Sequence, residues 1–208
     1  MEKRKIFALA ACLTVSAVCV TGVFAQVTVS GGFALSSVKE IKMSGDYDPD
    51  IEADVGLGGN LFVDYLLPLS IPLSLGFEAG VDGASFESGT LKDTITAIPL
   101  LLRAAYHFDL LPKLDLYVVG KIGYVIGIWT GENRDYFEKN NTTVDAVGGV
   151  GFGIDVGAAY YFNSKFGLFA EAGFDDYALE TKIKNDSFSA TLKAPFNRFL
   201  TFGVSGKF

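Results

Sequence analysis

In the segment 144–162 the ten even positions hold nine apolar residues and Gly148, while the odd positions hold Asp145, Gly149, Gly151, Gly153, Asp155 and Gly157. Period-two alternation is the pattern of a strand with one apolar and one polar face. A membrane helix here would have to carry five glycines and two aspartates, so a helix fits poorly. Seven further segments alternate in the same way: 26–38, 54–66, 73–86, 94–108, 114–129, 166–180 and 195–208. The connections between them alternate long and short: 39–53, 67–72, 87–93, 109–113, 130–143, 163–165 and 181–194. Pro99 cannot donate to a ladder and is expected near one rim, at an irregular pairing.

The apolar faces consist of Leu, Val, Ile, Phe and Tyr. The polar faces are rich in Gly, Ser and Ala and thin in charge. A soluble barrel would turn its apolar faces inward and cover the outside with Lys and Glu. Here the polar face is poor cover for water and good filling for the narrow interior that eight strands leave. Lipid is the solvent that tolerates so much apolar surface outside. Tyr65, Tyr106, Phe108, Tyr160, Phe162, Phe166 and Phe208 fall near the short-turn ends, as an aromatic girdle would. The expected fold is all-β: a closed, antiparallel, eight-stranded, up-and-down transmembrane β-barrel. Its long loops face outward and its short turns face the periplasm.

The last segment supports a family resemblance. Reading back from the end, Phe208, Gly206, Val204, Phe202, Leu200, Arg198 and Phe196 form one row, expected to face lipid. A terminal Phe preceded by alternating apolar residues resembles the closing strand of bacterial outer-membrane barrels. The resemblance is to the small eight-stranded class of the OmpX, OmpW and OmpA membrane-domain type. It implies that Phe202, Val204 and Phe208 serve as a C-terminal assembly signal. The partners it implies are outer-membrane lipid, the barrel-assembly machinery and periplasmic chaperones, with the barrel a monomer.

Residues 1–25 read as a secretory signal: Lys3, Arg4 and Lys5, then an apolar run, then Val23-Phe24-Ala25 before a cut between Ala25 and Gln26. The rival lipoprotein-like box ending at Cys12 leaves too short an apolar region. Cleavage removes Cys12 and Cys19, so residues 26–208, the barrel domain, carry no thiol. Losing Lys3, Arg4 and Lys5 together with Glu2 takes the net charge from −7 to −9. An acidic surface argues against nucleic acid as a partner.

Candidate chemistry is sparse. The sole histidine, His107, falls at the periplasmic end beside Tyr106 and Phe108, with no serine near it in sequence, and is read as structural. Asp46, Asp48, Asp50, Glu52 and Asp54 alternate but lack the glycine and terminal glutamate of a calcium loop. No cofactor or metal is expected. The constellation with most content lies on the inward faces near mid-height, where Glu78, Arg103, Lys121, Asp155 and Glu171 should pair, because an unpaired buried charge is costly. Such a network reads as a plug, with a gate as the sharper version.

These residues favour a non-enzymatic outer-membrane barrel that contributes to envelope structure, or forms a narrow or gated pore for small solutes. The alternative is an adhesin that binds a surface ligand through its outer loops, with Tyr47, Tyr136, Phe137 and Phe188 exposed there. A lipid A-modifying enzyme is disfavoured.

Overall fold

The computed structural model describes residues 27–38, 42–43, 52–53, 55–88, 91–139, 142–185 and 188–208. Eight long strands dominate: β1 (Val27–Val38), β2 (Val55–Leu66), β3 (Leu73–Ser88), β4 (Leu91–Leu111), β5 (Leu114–Gly131), β6 (Val147–Tyr161), β7 (Phe166–Asn185) and β8 (Phe188–Lys207). Among the described residues one helix, α1 (Glu132–Lys139), joins them. The two-residue pieces Lys42–Met43, Glu52–Ala53 and Thr143–Val144 add pairs onto β8, β3 and β7.

Each long strand pairs antiparallel with the next. β8 returns to β1, from Thr28↔Lys207 to Val38↔Phe196, and closes the barrel. Closure removes the sheet edges that lipid could not satisfy. The seam is fastened at its end, where the Phe208 amide donates to the Val27 carbonyl at 2.9 Å and the Val27 amide to the Phe208 carbonyl at 3.3 Å.

The alternation has apolar side chains outside. Leu57, Leu102, Ile122, Ile154, Leu168 and Val204 are exposed, while Ser30, Asn60, Glu78, Lys121 and Thr201 are buried. Near the short-turn end, Tyr106 meets Phe108 edge-on at 5.1 Å and Tyr160 meets Phe162 at 5.7 Å. All four are exposed, as are Phe166 and Phe208. Tyr65 of the expected girdle is only partly exposed.

At the opposite end the strands run further than the alternation suggests. Segments 87–93 and 181–194, read as loops, are strand at every described residue: 87–88, 91–93, 181–185 and 188–194. The polarity of the alternation inverts there. Ile183, Leu192 and Ala194 point inward and are buried, whereas Glu180, Lys184 and Lys193 face out. Above the lipid the outside meets water and the inside needs a core, so the apolar face changes sides. Segment 130–143, read as a loop, contains α1. Gly131 precedes the helix at φ 144°, a conformation open to glycine. Acidic Glu132 and Asp135 lie in the first turn and Lys139 in the last, which suits the helix dipole.

Pro99 also departs from expectation. It sits well within β4, opposite Val125, rather than at a rim, and no register shift accompanies it. The β3–β4 ladder passes from Ala79↔Leu100 to Asp82↔Ala97, leaving a gap where the missing amide proton would have paired.

The interior is layered. The outer half is an apolar core that includes Ile95, Leu101, Val125, Trp129, Tyr177, Leu179 and Phe196. A smaller group, with Phe62, Tyr117, Val119, Tyr161 and Phe169, lies toward the short-turn end. Charged side chains fill the level between them.

Candidate functional site

Three cations organise the middle layer. Arg103 of β4 donates through Nη1 to Glu78 Oε2 and through Nη2 to Glu171 Oε1, both at 2.6 Å, and through Nε to Asp64 Oδ1 at 3.2 Å. Its guanidinium lies 3.8 Å from the centre of the Phe62 ring. Lys121 of β5 donates to Glu171 Oε2 at 3.0 Å and Asp175 Oδ2 at 3.2 Å, is 3.5 Å from Glu78 Oε2, and pairs with Asp155. Arg198 of β8 donates through Nε to Asp175 Oδ2 at 2.8 Å and lies 2.5 Å from Glu78 Oε1.

Neutral donors complete the shell: Asn60 Nδ2 to Glu78 Oε1 at 3.0 Å, and the Tyr117 hydroxyl to Glu171 Oε1 at 2.9 Å. Glu78, Arg103, Lys121, Asp155 and Glu171 thus lie in one bonded cluster, and each is buried. Asp64, Asp82, Asp175 and Arg198 belong to it as well. The carboxylates outnumber the cations, so each cation is shared among several acceptors. Such groups are costly to separate, because removing one partner strands a charge in a dry interior.

Glycines make the room. A Cβ on Gly76, Gly58, Gly153 or Gly173 would collide with the Oδ1 of Asp64, Asp82, Asp175 or Asp155 respectively, and one on Gly157 with the Tyr117 ring. Each carboxylate is laid flat against a bare stretch of the neighbouring strand. The glycine-rich polar faces are therefore the complement of the charged residues.

Two sequence expectations are corrected here. Phe196 and Arg198 do not face lipid; both are buried inside the barrel. The β1–β8 register steps from Leu35↔Leu200 to Ser36↔Arg198, so Phe199 is an extra residue. A bulge of this kind shifts every later side chain to the other face. Phe202, Val204 and Phe208 lie beyond it and point outward, with Phe202 tilted against Phe33 at 6.2 Å. Ala25, Gln26 and most of the acidic run 46–54 lie outside the described residues.

The second correction concerns His107, which does have a serine beside it. Ser74 Oγ is 2.9 Å from Nε2, and Asp115 Oδ1 is 2.8 Å from Nδ1. Ser74 is on β3, His107 on β4 and Asp115 on β5. All three line a cavity of about 100 Å³ at the short-turn end, together with Thr28, Tyr161 and Lys207. Lys207 Nζ lies 3.5 Å from Asp115 Oδ2 and 3.9 Å from the centre of the Tyr161 ring.

The closed barrel and its apolar exterior agree with the comparisons. The protein-family profile described as "Outer membrane protein beta-barrel domain" matches residues 6–196. The chain belongs to this family. It is a bacterial outer-membrane protein, and its lipid-facing belt sits in that membrane. Among solved structures it resembles OprG of Pseudomonas aeruginosa, at 14% identity and a TM-score of 0.55, over 90% of this chain and 98% of that one. It resembles E. coli outer membrane protein W at 14% identity and 0.53, over 89% and 98%. It resembles AlkL, solved in DMPC bilayers, at 15% identity and 0.54, over 91% and 93%. At these identities the likeness is one of fold. No curated protein matches the sequence.

Proposed function

We propose that this outer-membrane barrel is sealed and serves the envelope as a structural element rather than as an open pore. The observation that carries this reading is the shared coordination of Arg103, Lys121 and Arg198 by carboxylates from β2, β3, β6 and β7. The three cations bridge walls of the barrel that are not neighbours in the sheet. Above them Leu101, Val125, Tyr177 and Phe196 form an apolar layer. An ion crossing the interior would have to break several buried pairs and then enter a dry layer, both unfavourable.

Liposome swelling tests the reading. Vesicles containing the refolded protein should swell in small sugars no faster than protein-free vesicles. Swelling that falls off with sugar size, as through a sieve, would replace the sealed barrel with a pore.

A further inference from the structure

We propose that Ser74, His107 and Asp115 form a nucleophilic serine site at the periplasmic mouth of the barrel, acting on short-chain acyl esters. The inference goes beyond the sealed-barrel reading and is independent of it, since the site lies on the periplasmic side of the charged layer.

The connectivity is that of an activated serine. Ionised Asp115 only accepts, so the 2.8 Å contact places the imidazole proton on Nδ1. In the neutral imidazole Nε2 is then a lone pair facing Ser74, and the 2.9 Å contact is a serine hydroxyl donating to it. A carboxylate that orients a histidine, which in turn addresses a hydroxyl, is recognised by geometry and roles rather than by sequence position or fold. The strands hold it rigidly. Ser74 pairs with Ala105 across β3–β4, and His107 with Tyr117 across β4–β5. The side chains of His107 and Asp115 are 18% and 15% exposed, so solvent reaches the relay.

The cavity sets the substrate. About 100 Å³ holds roughly three water molecules at their liquid volume. That is room for an acetyl-sized acyl group beside Ser74. Ser74 Oγ attacks the ester carbonyl while His107 Nε2 takes the hydroxyl proton. The Oγ–C bond forms and the carbonyl π pair moves to oxygen. Lys207 lines the same cavity, its Nζ paired with Asp115. Collapse breaks the bond to the alcohol, which leaves with the proton from Nε2. Water then attacks the acyl-serine by the same proton path, releasing the acid and restoring Ser74.

The test uses the full refolded barrel and a fluorophosphonate probe, with heat-modifiable gel migration reporting folding. The folded protein should be labelled on the peptide containing Ser74. Ser74→Ala should abolish labelling, and His107→Gln should slow it by about 10²-fold or more. The labelled peptide in the unmodified protein decides the matter even if a variant does not fold. p-Nitrophenyl acetate should be cleaved faster than the octanoate. Failure of the folded protein to label, label on another residue, or label persisting in folded Ser74→Ala would overturn the site. Preference for octanoate would overturn the substrate class.

Discussion

Arg198 and Glu78 meet across the barrel, with Nη2 of one 2.5 Å from Oε1 of the other and both side chains buried. The closing strand is thereby held not only to its two sheet neighbours but also to β3, which it does not pair with.

Arg198→Ala should therefore destabilise strongly. Loss of one member of a buried cluster costs about 3–5 kcal/mol when the partner stays charged and dry. Lys193→Ala removes an exposed pair with Glu180, at 3.0 Å and about half exposed on each side, and should cost less than about 1 kcal/mol. Urea midpoints in detergent would compare the two. Equal midpoints would mean that the interior is wet.

Gly153→Ala probes the cradle beneath Asp175. The new methyl would land on Oδ1 of that carboxylate, and overpacking of this kind costs about 1–3 kcal/mol. Gly120→Ala is the control, because its added carbon meets nothing within 4 Å. The same titrations should show a lowered midpoint for the first variant and little change for the second.

Most of the barrel was legible in the sequence because lipid forces a sharp alternation, and each strand carries it. Legibility ended where that physics changes. Past the membrane, near Ile183 and Leu192, the inside becomes the apolar side, so the strand continues while its pattern inverts. At Phe199 a single extra residue reverses parity, and Arg198 moves from an expected lipid face to the interior. Parity counting has no means of seeing a bulge. The neighbourhood of His107 was hidden differently. Ser74 lies 33 positions away, and only the register of β3 against β4 brings the two together. Asp64, Asp82 and Asp175 sat on the polar faces in plain view, yet their depth depends on strand lengths that the turns had obscured.

Phe208→Asp should block assembly while leaving secretion intact. The terminal side chain is exposed among the apolar row of Phe202 and Val204, and its backbone fastens β8 to Val27. A charge there meets the lipid interface. Heat-modifiable migration of membrane fractions should show the barrel for the unmodified chain and little for the variant. Equal yields would contradict the role given to this residue.

The membrane form should begin at Gln26, following cleavage after Ala25. Intact mass of the envelope protein reads this directly, and a lipidated form beginning at Cys12 would contradict it.

Single-channel recording in planar bilayers tests the central claim most directly, with the unmodified barrel beside Arg103→Ala. Arg103 holds Glu78, Glu171 and Asp64 together, and its removal leaves those carboxylates to repel one another and draw in water. The account predicts no resolved steps for the unmodified barrel, and either cation-selective openings or a collapsed urea midpoint for the variant. Steady openings from the unmodified barrel, or a variant identical to it in both current and stability, would contradict the sealed, charge-paired interior.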